Sequence, residues 1–346
     1  MHSKLIRVLG FALCATLVLA ADDDSDSSST RTTGIDGYIP RKALSFLGIA
    51  CYGGTALFQW VQWVRCGRQN YMLPLLLGMT FMAGGFGVRV YYADKWDSLT
   101  VYIGMTMLIL LSPCAFLAQD YMLLHRLADA LGEDVARKCL FIRSTWITKL
   151  FVASDVFTFF LQAGGGGMSA QASMAETGQK IALVGLFIQL ACFLVFCALL
   201  VWFYYKARAS YSHLRYPSRP FSWSTFGFFS TEPIHDWRAL AWVMALTCIG
   251  IIIRSIFRLI EYAQGHDGAL KTTEAWFYLL DALPLWISMT LFAIIWPPRV
   301  LEGVEQEAAD EALQPQVRYD RHAAWSRVDG GEEEVGMRKF RSGETY

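Results

Sequence analysis

Ionisable side chains inside long apolar runs are the residues of this sequence best placed to do chemistry. Each costs about 2.5 to 3.5 kcal/mol at the centre of a membrane helix unless it finds a partner or a wet cavity. One run carries Arg254, Arg258 and Glu261 at spacings of four and three, which puts all three on one helix face and lets Arg258 pair with Glu261. The next run carries Asp281, with Tyr278 before it and Glu274 at its mouth. Arg89 and Asp155 lie in two earlier runs, Gln162 sits two turns beyond Asp155, and Gln189 is in the run that follows. From the helical rise, Arg254, Arg258 and Asp281 fall about 12, 6 and 9 Å below one end of their helices and Arg89 about 5 Å, while Asp155 is near the middle. Arg89, Arg254 and Arg258 against Asp155, Glu261 and Asp281 make a balanced set of three and three. Two readings stand side by side. The charges could be buried pairs that hold a bundle together, since a half-paired ion in a membrane destabilises the fold. Or they could line a hydrated pocket, with Gln162, Gln189, Glu274 and Tyr278, that offers both signs of charge to a zwitterionic or amphiphilic ligand.

The elements that must hold these groups are seven apolar runs of spanning length, about 42–64, 71–92, 99–124, 146–165, 180–205, 237–262 and 275–296. A backbone in lipid must satisfy its own hydrogen bonds, so the runs are helices. The expected fold is an all-α membrane protein with a seven-helix transmembrane domain over 42–298. Composition agrees: 54% of the 346 residues are hydrophobic and 17% are charged, against about 25% charged in soluble domains. Lys4 and Arg7 precede Leu9 to Ala20, an apolar stretch too short to cross a bilayer, and an acidic Ser-rich segment follows. Residues 1–20 therefore read as a cleavable signal peptide, with an uncleaved anchor as the alternative, and 21–41 as a disordered extracellular segment. With that end outside, the first, third and fifth loops hold Arg65, Arg68, Arg126, Arg137, Lys138, Arg143, Lys206, Arg208, Arg215 and Arg219. The other three hold Lys95, Lys180 and Lys271. That bias puts the N-terminus outside and the C-terminal tail in the cytosol. The tail, 299–346, reads as largely disordered, although Val300 to Leu313 could form an amphipathic helix. Pro113 and Pro284 are expected to kink their helices, and Gly84, Gly85, Gly87 and the run Gly164 to Gly167 allow close helix packing or an unwound turn.

The same residues exclude several functions. Formal net charge is zero, so nothing calls for nucleic acid. There is no Walker loop to use ATP directly. His125, His213, His235, His266 and His322 fall outside the spans, which leaves a membrane zinc hydrolase without ligands. No lysine lies between Ala275 and Trp296 to form a Schiff base, and no Cys/His spacing resembles a metal site. The reading is of a non-enzyme with no catalytic residues, no metal and no cofactor.

The segments FVASDVFTFFLQAGGGGM, GLFIQL, IRSIFRLIEYAQGHDGALKTTEAWFYLLD and IIWPP resemble the fungal lipid-translocating exporter family, RTA-like seven-helix proteins linked to resistance to aminocholesterol and sphingoid long-chain bases. The likeness runs from about Tyr38 to Pro298 and is carried most specifically by Arg254, Arg258, Glu261, Gly265, Gly268, Glu274, Tyr278 and Asp281. It extends to Pro40, Gly85, Arg89, Pro113, Tyr121, Arg126, Asp155, Gln162, Gly185 and Gln189. Two positions depart from the family pattern: Met82 stands where an acid is common seven residues before Arg89, and Trp296-Pro297-Pro298 replaces a His-Pro-Gly ending. Loss of that acid leaves Arg89 dependent on Asp155 or Asp281. The resemblance implies export or flipping of amphiphilic lipids at the plasma membrane, contributing to stress resistance, with membrane lipids or amphiphilic small molecules as the partners. The alternative is a seven-helix sensor or receptor that uses the same pocket to regulate lipid or stress responses.

Overall fold

The computed structural model describes residues 41–95, 98–140, 144–169, 173–210, 232–264 and 274–309. The expected signal peptide, Tyr38 and Pro40, Gly265 and Gly268, most of the fifth loop and the tail beyond 309 lie outside the described residues.

Every regular element among the described residues is helical. They are α1 (Lys42–Arg65), a 3-10 turn (Asn70–Met72) leading into α2 (Leu73–Asp94), α3 (Leu99–Ala130), the short α4 (Glu133–Cys139), α5 (Ser144–Ser169), α6 (Ala175–Ser210), α7 (Trp237–Gln264) and α8. The last is compound: an α turn at Glu274–Trp276, a π segment at Phe277–Ala282, then α from Leu283 to Ile294. A further helix, α9, covers 297–309. Seven of these helices are long and apolar enough to cross a membrane, so the chain is a multi-pass membrane protein.

The seven spans pack as a closed ring in the order α1, α2, α3, α5, α6, α7, α8, with α8 returning against α1. For brevity, the site end is where α1, α3, α6 and α8 begin and α2, α5 and α7 finish. Leu57, Phe160 and Trp242 on the ring's outer surface are 68%, 67% and 60% exposed. Inside, Arg89, Asp120, Asp155, Arg254, Glu274 and Asp281 are buried. A bundle with apolar residues outside and charge within is built for a hydrocarbon solvent.

Three close seams set where the site can be. Along α1, Tyr52, Gln59 and Gln62 stand at helical spacing and donate to the backbone carbonyls of Ala282, Met289 and Ala293 on α8 at 2.7, 3.0 and 3.0 Å. Trp286 returns the contact, its indole N–H 3.0 Å from the Cys51 carbonyl. Pro284 explains the irregular start of α8: it has no N–H to give the carbonyl four residues back, and the preceding turn widens to π spacing. The kink expected at Pro284 is thus expressed as this widened turn, which aims Tyr278 and Asp281 inward. On the opposite side of the ring, α5 and α6 meet through glycine. A Cβ on Gly165 would lie 2.5 Å from the Ala182 amide nitrogen and 2.6 Å from the Gly178 carbonyl oxygen. Because the obstruction is backbone, no rotamer relieves it. Gly165→Val is expected to destabilise the protein by about 1–3 kcal/mol, read as a lower thermal midpoint in detergent, whereas Gly164→Ala, at a position with open space, should be neutral.

At the far end the chain does not leave the bundle at Pro298. Arg299, Val300, Leu301 and Val304 of α9 are buried. Ile234 N–H donates to the Arg299 carbonyl at 2.9 Å, and the Arg299 guanidinium donates to the Glu232 carbonyl at 2.8 Å. Gly303 lies so close to the Ile234 carbonyl that a side chain there would collide with it. The first residues of the expected tail are therefore a docked helix.

Candidate functional site

Two groups of ion pairs gather near the site end. In the first, Asp281 receives a two-pronged contact from Arg258, Nε to Oδ1 at 2.7 Å and Nη2 to Oδ2 at 3.0 Å. Arg258 also gives Nη1 to Glu261 at 3.1 Å, the intrahelical pair that the spacing predicts. Arg254, one turn deeper, reaches Asp281 Oδ1 at 3.1 Å as an ion pair without hydrogen-bond alignment. The Asp281 carboxylate has no exposed surface. One buried acid thus answers two arginines, with the fork geometry that makes Arg–carboxylate pairs strong.

In the second group Arg89 Nη2 lies 3.2 Å from Glu274 Oε1, with side-chain exposures of 2% and 4%. Glu274 Oε2 accepts the Arg41 backbone N–H at 3.0 Å. The Phe277 ring links the groups: the guanidinium carbons of Arg89 and Arg258 lie 4.6 and 5.3 Å from its centroid, within cation–π range. Tyr278 stacks on Phe86 and stands 3.4 Å from Ser45 through its hydroxyl. At the rim, Lys42 pairs with Asp94.

Asp155 is not part of this cluster. It lies on α5 about 21 Å from the site end of that helix, against about 7–15 Å for Arg89, Arg254, Arg258 and Asp281 on theirs. The acid opposite Arg89 is Glu274, not Asp155 or Asp281. Gln162 and Gln189 also stand apart from the arginines, joined to each other at 2.7 Å, with Gln189 donating to Cys114 Sγ at 3.8 Å. The expected set of three and three therefore divides into an arginine cluster shared by α2, α7 and α8 and a separate polar line on α3, α5 and α6. The acids and arginines of the cluster neutralise one another and are largely buried, with Arg258 and Glu261 18% and 14% exposed.

Sequence reasoning passed over Asp120, fully buried on α3, where the Thr247 hydroxyl lies 3.1 and 3.3 Å from its two oxygens. The cost argument that singles out Asp155 applies to it equally, since it falls inside the 99–124 run. Phe277 and the Arg41 amide carried no signal in the sequence, because their roles depend on how α8 is turned.

Beside the cluster is a shallow apolar groove, partly open, between α1 and α8. Leu47, Gly48 and Cys51 form one wall, Leu283 and Trp286 the other, and Phe86 of α2 the floor. Tyr278 lines it too and connects it to the Arg89 group. The arrangement brings paired charges and the Tyr278 hydroxyl beside an apolar slot, which is chemistry suited to binding.

Residues 75–303 match the family described as RTA1 like protein. The chain is 28% identical over 250 residues to Protein RTA1 of Saccharomyces cerevisiae, covering 72% of each chain. It is 27% identical over 222 residues to Protoporphyrin uptake protein 1 of the same yeast, covering 64% of this chain and 67% of that one. Over 178 residues it is 30% identical to Sphingoid long-chain base transporter RSB1, also from Saccharomyces cerevisiae, covering 44% of this chain and 46% of that one. No solved structure matches the chain. The family match takes in both arginine groups, Asp120, Asp155 and the start of α9, well over half of the sequence, and the chain belongs to the RTA1-like family.

Proposed function

We propose that this protein moves single-headed amphiphilic lipids, sphingoid long-chain bases among them, across a membrane. The observation that carries the reading is the apolar groove beside the paired charges: in this reading a hydrocarbon tail lies along Leu47, Cys51, Leu283 and Trp286, and its head is received at Tyr278, which links the groove to the buried Arg89–Glu274 pair. Two relatives have names that refer to amphiphiles of different head chemistry, a long-chain base and a porphyrin, and a cluster carrying both signs of charge suits either. In this reading the site end faces outward and α9 lies on the cytosolic side of the plasma membrane, in line with the basic bias of the loops. The test is a flipping assay in reconstituted vesicles with a labelled long-chain base. Protein-containing vesicles are expected to exceed protein-free ones, and Leu47→Trp, which fills the groove, to return the rate to background. Equal rates with and without protein would overturn the proposal.

A second reading, a membrane sensor, is favoured by the completeness of the Asp281 cluster, whose charges already neutralise one another in a closed state. Under it a ligand would act by displacing a pair, and a signal would leave through α9. Arg258→Ala separates the two: loss of lipid resistance with downstream responses intact supports translocation, and loss of the responses supports sensing.

A further inference from the structure

Glu261, Glu274 and Asp281 all face arginines, but the other two acids inside the bundle do not. Among the described residues, neither Asp120 nor Asp155 has a basic side chain as a neighbour. An ionised carboxylate without a cation is strongly disfavoured in a low-dielectric interior, so each is held neutral by a proton of its own. The two differ in how tightly that proton is committed. The Thr247 hydroxyl lies 2.8 Å from the Met244 carbonyl oxygen as well as 3.1 Å from Asp120 Oδ2. A hydroxyl has one proton to give. With that proton on the Met244 carbonyl, the contact between Asp120 and Thr247 is made by a proton on Asp120, which is a structural acid locked between α3 and α7.

Asp155 has no such lock. It is 2% exposed, and neither oxygen makes a well-formed hydrogen bond. The Tyr121 hydroxyl faces it from α3 without closing to one. The other titratable or charged groups around the pair are Cys114 and Asp120 of α3, Cys197 of α6, and Arg254 of α7 beyond Cys114, itself engaged by Asp281. A line of polar side chains lies within electrostatic reach of this point: Cys114, Gln189 on Cys114, and Gln162 on Gln189. Beyond Gln162 the helix continues as Gly164 to Gly167, at the site end.

We infer that Asp155 is an exchangeable proton site, loaded and unloaded by water that reaches it past the polar side chains of Cys114, Gln189 and Gln162, and that its proton is the ion to which translocation is coupled. On unloading, the carboxylic O–H bond breaks, the proton passes to water, and the carboxylate keeps the electron pair. The coupling half of this rests on the translocator reading; the site itself does not.

The test uses the full-length protein in lipid nanodiscs, with infrared difference spectra recorded as pH is raised. The wild type should show two protonated-carboxyl carbonyl bands from the bundle interior. One disappears on titration and is missing in Asp155→Asn; the other persists and is missing in Asp120→Asn. Asp155→Glu, which keeps the acid, should move the titrating band rather than abolish it, and it serves where the asparagine variant does not fold. A titrating band unaffected by either change at 155, or a band at 155 that never titrates, overturns the site. In vesicles with an imposed pH gradient, flipping by the wild type should depend on the gradient and that dependence should be lost in Asp155→Asn. A titrating band in protein that flips nothing overturns the translocator reading and the coupling but leaves the proton site standing. Flipping insensitive to the gradient overturns the coupling alone.

Discussion

Asp281→Asn is expected to be the most damaging single substitution in the membrane region. The carboxylate answers Arg258 at 2.7 and 3.0 Å and Arg254 at 3.1 Å, and it is wholly buried. Asparagine keeps the shape and removes the charge, so two guanidiniums with side-chain exposures of 7% and 18% are left with Glu261 alone to oppose them. Breaking one buried pair by removing a partner costs about 3–5 kcal/mol, against a total stability of about 5–15 kcal/mol for a folded domain. The expected result is a protein that accumulates poorly and, where it can be purified, has a sharply lower thermal midpoint in detergent. Adding Arg254→Met should recover part of the loss, because it removes the arginine that has no second acid. Asp155→Asn is the internal control: it replaces a neutral, protonated acid that has no salt-bridge partner with an amide of the same shape, and is expected to leave the midpoint unchanged or raise it. Equal midpoints for Asp281→Asn and the wild type would show that the arginines are neutralised by something other than this carboxylate.

Why this cluster was partly visible beforehand, and where visibility stopped, follows from the physics of each step. Arg254, Arg258 and Glu261 share a face because their spacing repeats with the helix, and no tertiary information is needed to see it. That Asp281 meets them follows from adjacent helices and matched depth. Arg89 defeats the same argument, because depth alone permits Asp281 or Glu274. The choice is made by the π segment Phe277–Ala282, which changes how far α8 turns between Glu274 and Asp281. Asp155 fails for two other reasons: it lies deeper, about 21 Å from the site end of its helix, and depth says nothing about angular position in a ring where α5 faces α3 and α6 rather than α8.

Asp120 was open to the same reasoning as Asp155. The seating of α9 was not open to it, since a charged segment after Pro298 reads as solvated until the fit of Gly303 under Ile234 is seen. The glycine-rich end of α5 left packing and unwinding as alternatives. Its continuous helix to Ser169, with Gly165 against Gly178 and Ala182, favours packing at that position.

The Arg89–Glu274 pair allows structural and functional roles to be separated in one experiment. Arg89→Met should leave Glu274 with the Arg41 amide but without the Arg89 cation, and Glu274→Met should leave Arg89 above Phe277 without the Glu274 carboxylate. Each single change strands a buried charge and is expected to lower stability by about 3–5 kcal/mol. The double change strands neither, and apolar side chains of similar length fill the space, so most of the stability should return; a buried pair is often matched or exceeded by its hydrophobic replacement. Thermal midpoints of the four proteins give the coupling directly. Activity should not follow stability. If the pair receives a lipid head beside Tyr278, the stable double variant flips a labelled long-chain base at least tenfold more slowly than the wild type, because the groove then leads to no charge. A double variant that is both stable and fully active would reduce Arg89 and Glu274 to a clamp between α2 and α8 and move the search for the head-group site to Arg258 and Glu261, the more exposed part of the cluster.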